Sequence, residues 1–452
     1  MKNEFEDSNS TGRTRFSAGG VKPPGRRKQM NLQKIKAVPQ HPDSGEARSV
    51  RFSLGENRAK GSRSSTYLPW SRLSRIAKVS IGSLAMVFGL ASCSLDYVVG
   101  YVYMTTNKAH PGIVNEYSID FQSGALAQIG TVPAGNNPVR LVADPTGRYV
   151  YVVNQGDSNV QEFAVQSDGT LAAKSTYSTV AKTPTAIAID PQGKFLYVTC
   201  SFQTGTSGPG AVAIFPVNSD NTLGTASTVN VGNSPVGVSV SYFNHYVYVL
   251  DQETSANAKI LGFSQNTTTG ALTPIGGAGN NAYPAGVVPS AIGEDLTARF
   301  VYVTDQAANQ LIGYTVQNNG ALVPMVNGPF QTGLYPTNLT VDPTGKLLYV
   351  VNYNANTVQG YAIDTFTGTP SGAVGAFSTS TGTGPTCVAI DPSLGTFLYT
   401  SNGLDNTITG ERVTPETGAL AGVQNSPFPG AGQPTCLTVV PNGSHASQII
   451  TP

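Results

Sequence analysis

Residues 336–368 read PTNLTVDPTGKLLYVVNYNANTVQGYAIDTFTG. Two alternating runs, 338–341 and 346–351, flank Asp342-Pro343-Thr344-Gly345, and a third, 358–363, follows a polar loop. Alternation with β-branched and aromatic residues predicts strands. In the turn, Pro presets φ, Gly permits positive φ, and the Asp carboxylate accepts from nearby backbone N–H groups. Thr367-Gly368 makes a further turn, so the stretch is a small antiparallel meander.

The same unit recurs along the chain. Its core tyrosine is matched at Tyr103, Tyr151, Tyr197, Tyr248, Tyr302, Tyr349 and Tyr399, with gaps of 48, 46, 51, 54, 47 and 50 residues. A period near fifty with about four strands per repeat is the pattern of a β-propeller blade. One meander leaves its faces bare, whereas a ring of them buries both. The fold expected is therefore all-β, a seven-bladed propeller over 94–445.

Seven inner strands are expected to begin at Pro138, Pro184, Pro235, Pro289, Pro336, Pro385 and Pro434. Tyr103 has no such strand before it, and the strand at Pro434 has no tyrosine after it. The simplest resolution joins both chain ends in blade one, which removes exposed sheet edges. The third strands place an aromatic at Tyr117, Phe163, Phe215, Phe263, Tyr314 and Tyr361, expected as core together with the inner-strand pairs such as Ile187/Ile189 and Leu437/Val439.

The overall charge of +1 conceals two halves: residues 1–93 carry 17 Lys and Arg against 6 Asp and Glu, and residues 94–452 carry 10 against 20. An acidic propeller argues against a nucleic-acid partner. Residues 1–72 form a basic leader without periodicity, expected as disordered. Arg72, Arg75 and Lys78 then precede the apolar run 79–91, too short to span a bilayer and suited to a signal peptide over 73–93. Translation starting near Leu73 would give a signal of ordinary length.

The run ends Leu90-Ala91-Ser92-Cys93, which resembles the bacterial lipobox. That resemblance implies lipidation at Cys93, a membrane-tethered envelope protein on the periplasmic or extracellular side, and, through Ser94, the outer membrane in a diderm host. The alternative is an ordinary signal peptide with a chance cysteine.

The turns such as Asp190-Pro191-Gln192-Gly193-Lys194, the runs such as Tyr197-Val198-Thr199 and the hairpin Thr269-Gly270-Ala271-Leu272 resemble the YVTN-type repeats of the β-propeller lactonase family. The resemblance covers about residues 97–441. It implies relatives among 6-phosphogluconolactonases and propeller-type muconate cycloisomerases. Enzymes of that family are expected to carry a His, an Arg and a Glu at the channel mouth, often with Pro-Arg-His opening an inner strand. Here the seven openings read PVR, PTA, PVG, PSA, PTN, PTC and PTC, so no catalytic residue carries over.

Departures from a repeat are where function is sought. Arg140 is the only charge at the third inner-strand position, where Asn338 is also polar. Arg140 is a candidate to hold a carboxylate or phosphate bidentately, or a salt-bridge partner of a loop carboxylate. Glu294, at a position aliphatic in most other blades, is either a general base for a lactone carbonyl or a residue of a distorted, solvated strand. Glu411 replaces the third-strand aromatic of blade seven and is expected at an outer, solvated position, and His245 at an exposed turn.

No metal-ligand spacing, phosphate loop or cofactor motif is present. The one Trp, in the leader, argues against a quinone-cofactor propeller. Cys200, Cys387 and Cys436 are expected as buried thiols, because adjacent blades usually diverge beyond the roughly 7 Å that a disulfide allows; the alternative is a bridge between Cys387 and Cys436, which hold equivalent positions on neighbouring inner strands.

Two functions remain open. One is a non-catalytic envelope lipoprotein, monomeric, binding a carbohydrate or a protein partner. The other is a lactone hydrolase using Arg140 and Glu294 on a sugar lactone.

Overall fold

The computed structural model describes residues 97–443 except 108–110, 254–257, 278 and 373–377. The leader, the apolar run and Cys93 lie outside the described residues.

Seven antiparallel sheets form in chain order. Blades two to seven occupy 138–178, 182–230, 235–284, 289–331, 336–380 and 385–429. Blade one takes Val98–Thr106, Ile113–Asp120 and Leu126–Pro133 from the N-terminal side, and Pro434–Pro441 from the C-terminal side. The two ends pair antiparallel, with Tyr103 opposite Thr438. This is the seven-bladed β-propeller, closed by both chain ends in one blade.

In the stretch 336–368 the strands run Pro336–Val341, Leu347–Asn352 and Thr357–Ile363, within two residues of the alternating runs. Asp342 holds the first turn. Its Oδ1 accepts from Lys346 N at 2.8 Å and Leu347 N at 2.6 Å, satisfying N–H groups the bend would otherwise strand. Asp295 does the same for Arg299 N (2.9 Å) and Phe300 N (2.7 Å), although Leu296 stands where most other blades have Pro. Blade five therefore keeps its regular turn.

The anchor tyrosines explain why the period is so legible. Each is buried, and each hydroxyl donates to a backbone carbonyl in the next blade. The acceptors are Gly169, Asn221, Gly270, Gly320, Gly368 and Gly418, at 2.6–3.1 Å. Tyr399 then reaches round to Gly124 O in blade one at 2.8 Å. One tyrosine per blade thus stitches all seven junctions. A buried phenol needs such a partner, since leaving it unmade costs about 1–3 kcal/mol.

The third-strand aromatics are buried between blades, as the pattern implied. The inner-strand aliphatics differ in part: Ile187, Ile189, Val240 and Val341 are half-buried, because one side of the inner strand borders the central channel. Glu411 corrects a further expectation. It is only 2 % exposed, standing in the buried aromatic column instead of at a solvated edge. Burial pushes its carboxyl up to about 7.

All inner strands run from one mouth of the channel, where the prolines stand, to the other, where the Asp-Pro turns stand. The strand Val98–Thr106 is antiparallel to Pro434–Pro441, with Gly100 opposite Pro441 and Thr106 beside Pro434. The chain therefore comes into the propeller at the Asp-Pro end.

Candidate functional site

The proline end of the channel opens into a cavity of about 450 Å³. Its floor is the residue after each inner-strand proline: Val139, Thr185, Val236, Ser290, Thr337, Thr386 and Thr435. Four of these hydroxyls donate across to the next blade's proline carbonyl: Thr185 to Pro235 (2.7 Å), Ser290 to Pro336 (2.7 Å), Thr337 to Pro385 (3.0 Å) and Thr435 to Pro138 (2.8 Å). Where the position is Val, a glutamine takes over. Gln155 Nε2 donates to Pro184 O (3.3 Å) and Gln252 Nε2 to Pro289 O (3.0 Å). A belt of side-chain bonds thus girdles the mouth at six of the seven junctions.

The rim is built by the residue four places after an anchor tyrosine: Gln155, Gln252, Gln306 and Tyr353. The residue just before three of these, Gln155, Gln252 and Gln306, fixes the facing loop. Asp251 Oδ1 accepts from Ser234 N (2.7 Å), Asp305 Oδ1 from Val288 N (3.0 Å), and Asn154 Oδ1 from Gly135 N (3.1 Å). Tyr335 completes the rim. Sequence reasoning missed these residues because they lie in loops outside any alternating run. Their constant offset from the tyrosine was the available signal.

Arg140 lines this mouth and the channel below it. It is the one charged side chain among the fifteen lining residues of the mouth. Its guanidinium is enclosed by the channel wall but still touches channel space, so the side chain is half-buried. Burial pulls its pKa down from the ordinary guanidinium value, yet an arginine stays cationic in a protein. Nη1 makes one long bond, to Val139 O at 3.4 Å. The salt bridges among the described residues are both made by Lys259, so no carboxylate neutralises Arg140.

Asn338 sits at the same strand position in blade six and lines the mid-channel. Its Oδ1 accepts from Val388 N at 3.2 Å, which ties it to blade seven.

Glu294 is elsewhere. It stands three residues further along its strand than Arg140 does along its own, on the order of 10 Å down the channel axis. Its counterparts Ala143, Ile189, Val240, Val341 and Ile390 line the opposite, apolar mouth. Oε1 accepts from Ser241 Oγ of blade four at 2.9 Å, while Oε2 is buried with no hydrogen-bond partner. Burial pushes this carboxyl up to about 8; the bond from Ser241 opposes the shift and Asp295 adds to it. The structure does not bring Arg140 and Glu294 together. His245 sits half-buried in its hairpin turn, at φ 55°.

The cysteine expectation is corrected. Cys387 and Cys436 form a disulfide, with Cα atoms 4.9 Å apart, while Cys200 is free and buried. Blades diverge at the rim, but at the channel wall the inner strands converge, which brings the third positions of neighbouring blades within bonding reach. The pair borders the mid-channel together with Arg140 and Asn338.

Comparison with known proteins places this architecture. The profile of the family described as "Lactonase, 7-bladed beta-propeller" matches residues 99–241 and 244–390. The chain belongs to this lactonase family. A curated 6-phosphogluconolactonase from Pectobacterium carotovorum is 32% identical over 90 residues; the match spans 18% of this chain and only 27% of that protein.

Among solved structures, a 6-phosphogluconolactonase-like protein of Bacteroides fragilis superposes with a TM-score of 0.65 at 19% identity. That match covers 77% of this chain and 99% of the other. The periplasmic gluconolactonase PpgL of Pseudomonas aeruginosa gives 0.62 at 20% identity, covering 76% and 99%. At such identities the likeness of this lactonase-family chain to both speaks for the fold alone.

Proposed function

We propose that this lactonase-family propeller is a binding protein of the cell envelope, tethered through a lipid on Cys93, whose Arg140 mouth holds a small carboxylate or phosphate without turning it over. The observation that carries this reading is the composition of the mouth. It offers one unneutralised cation, a ring of Gln and Thr side chains, and no carboxylate, imidazole or thiol. A cation with spare N–H groups attracts an oxyanion, and a few amides and hydroxyls around it fix the orientation of a bound molecule. Hydrolysis would need a group to take a proton from water, and the mouth contains no ordinary general base. Glu294, at the other end, does not serve this mouth.

Location outside the cytoplasm is supported by the apolar run before Cys93 and by the Cys387–Cys436 disulfide, since disulfides persist in oxidising compartments. The related PpgL is described as periplasmic.

A second reading is lactone hydrolysis, favoured by the family and by relatives described as gluconolactonases. In that case Arg140 would polarise the lactone carbonyl. One experiment separates the two: calorimetric titration with gluconate and 6-phosphogluconate beside assays of the matching lactones, in wild type and Arg140→Gln. Binding that weakens at least tenfold in the variant, without hydrolysis above the spontaneous rate, supports the binding module. Hydrolysis lost with Arg140 would favour the enzyme. The anchor is tested by labelled-palmitate incorporation, which Cys93→Ser should abolish.

A further inference from the structure

The wall of the mouth facing Arg140 has a different chemistry. Arg140 belongs to blade two. Tyr335 and Tyr353 belong to blade six, across the opening in a seven-membered ring. Their ring centroids are 6.0 Å apart with planes tilted by 56°. Tyr353 N donates to Tyr335 O at 2.8 Å, and Tyr335 N to Asn309 Oδ1 at 2.7 Å, so the pair is held by backbone.

Leu334, 58 % exposed, and Leu404, 56 % exposed, flank them. Gly384 lies beneath Leu404 and Tyr353, and its lack of a side chain lets both settle there. The seven anchor tyrosines all spend their hydroxyls on carbonyls of the next blade, whereas the hydroxyls of Tyr335 and Tyr353 make no protein hydrogen bond among the described residues. The result is a contiguous aromatic and aliphatic shelf, open to solvent and continuous with a cavity whose other wall carries a lone cation.

We propose that the mouth is a two-point site for an amphiphilic anion: a small carboxylate bearing an aromatic ring or short acyl chain, with its oxygens on Arg140 and its apolar part on the Tyr335–Tyr353–Leu404 shelf. This deepens the preceding proposal and rests on its anion-binding mouth. Leucines give a hydroxyl-rich ligand no partner for the hydration it would lose, whereas an apolar group gains by covering them. Tyrosine rings add an oriented face at small conformational cost, and a tyrosine hydroxyl stays available for a polar substituent.

The test is calorimetric titration of the full chain with gluconate, 4-phenylbutyrate and 4-phenylbutan-1-ol. Phenylbutyrate should bind at least tenfold more tightly than gluconate and than the uncharged alcohol. Tyr353→Ala with Leu404→Ser should collapse the preference for phenylbutyrate over gluconate to within twofold. Leu334→Ser replaces Tyr353→Ala if the latter lowers the melting temperature.

Gluconate binding through Arg140 as tightly as phenylbutyrate would overturn the shelf while leaving the anion-binding mouth standing. So would a preference that survives the shelf substitutions. If neither carboxylate binds, or both bind Arg140→Gln equally well, the shelf and the mouth fall together.

Discussion

Cys387 of blade seven is bonded to Cys436 of blade one, and this is the junction that the side-chain belt leaves open. At the other six junctions a hydroxyl or glutamine reaches the next blade's proline carbonyl. Thr386 instead donates within its own blade, to Ser401 O at 3.2 Å. A covalent link stands where the hydrogen bond is missing, beside the blade that holds both chain ends.

The bridge predicts a thiol count. Denatured without reductant, the propeller should titrate one thiol, that of Cys200, and after reduction three. Replacing both bridge cysteines with alanine should cost about 2–4 kcal/mol of stability, the usual scale for such a cross-link. Three thiols before reduction would remove it.

Ending the chain before Gln433 deletes the strand that completes blade one, including buried Cys436, Leu437, Val439 and Val440. At about 1.5–3 kcal/mol per large buried side chain, and with the facing edge of Val98–Thr106 bared, the loss rivals a domain's whole margin of roughly 5–15 kcal/mol. Differential scanning calorimetry should find no cooperative transition, or one lowered by more than about 10 °C. A melting point unchanged by truncation would contradict ring closure.

Glu294 makes stability depend on pH. Its carboxyl titrates near 8 in the folded protein and at an ordinary carboxylate value when unfolded, so between those values the native state holds the extra proton. Stability therefore falls as pH rises through this window, by up to roughly 5 kcal/mol once the group is ionised. Glu294→Gln keeps the shape and removes the titration. Chemical denaturation at pH 6 and pH 9 should show the wild type losing more stability than the variant, and equal losses would refute the assignment.

Gly368 illustrates why the hairpin glycines matter. It sits at φ 74°, and a Cβ there would run into the edge of the Phe300 ring. Its carbonyl receives the Tyr302 hydroxyl at 2.6 Å. Gly368→Ala combines left-handed strain with overpacking and should cost ~3 kcal/mol, read as a lower denaturant midpoint at unchanged slope.

The wheel was legible because one job recurs. Each anchor tyrosine makes the same bond to the next blade, so each repeat must supply both the tyrosine and a turn carbonyl to receive it. Blade closure was legible from the mismatch between Tyr103 and Pro434 alone. The site was less so. Arg140 could be singled out as the odd charge on an inner strand, but its lack of a carboxylate partner depends on loops from other blades. Glu294 looked like its partner because sequence position does not reveal at which end of the channel a side chain sits. Glu411 was misread for a related reason: a carboxylate suggests solvent, yet the column it occupies is set by the blade on either side. The disulfide depended on how closely two strands 49 residues apart converge at the channel wall, a distance no repeat period encodes.

The chain comes into the wheel at the Asp-Pro side, opposite the arginine. Tyr97, where the described chain begins, and the cationic opening therefore lie on opposite faces of the wheel.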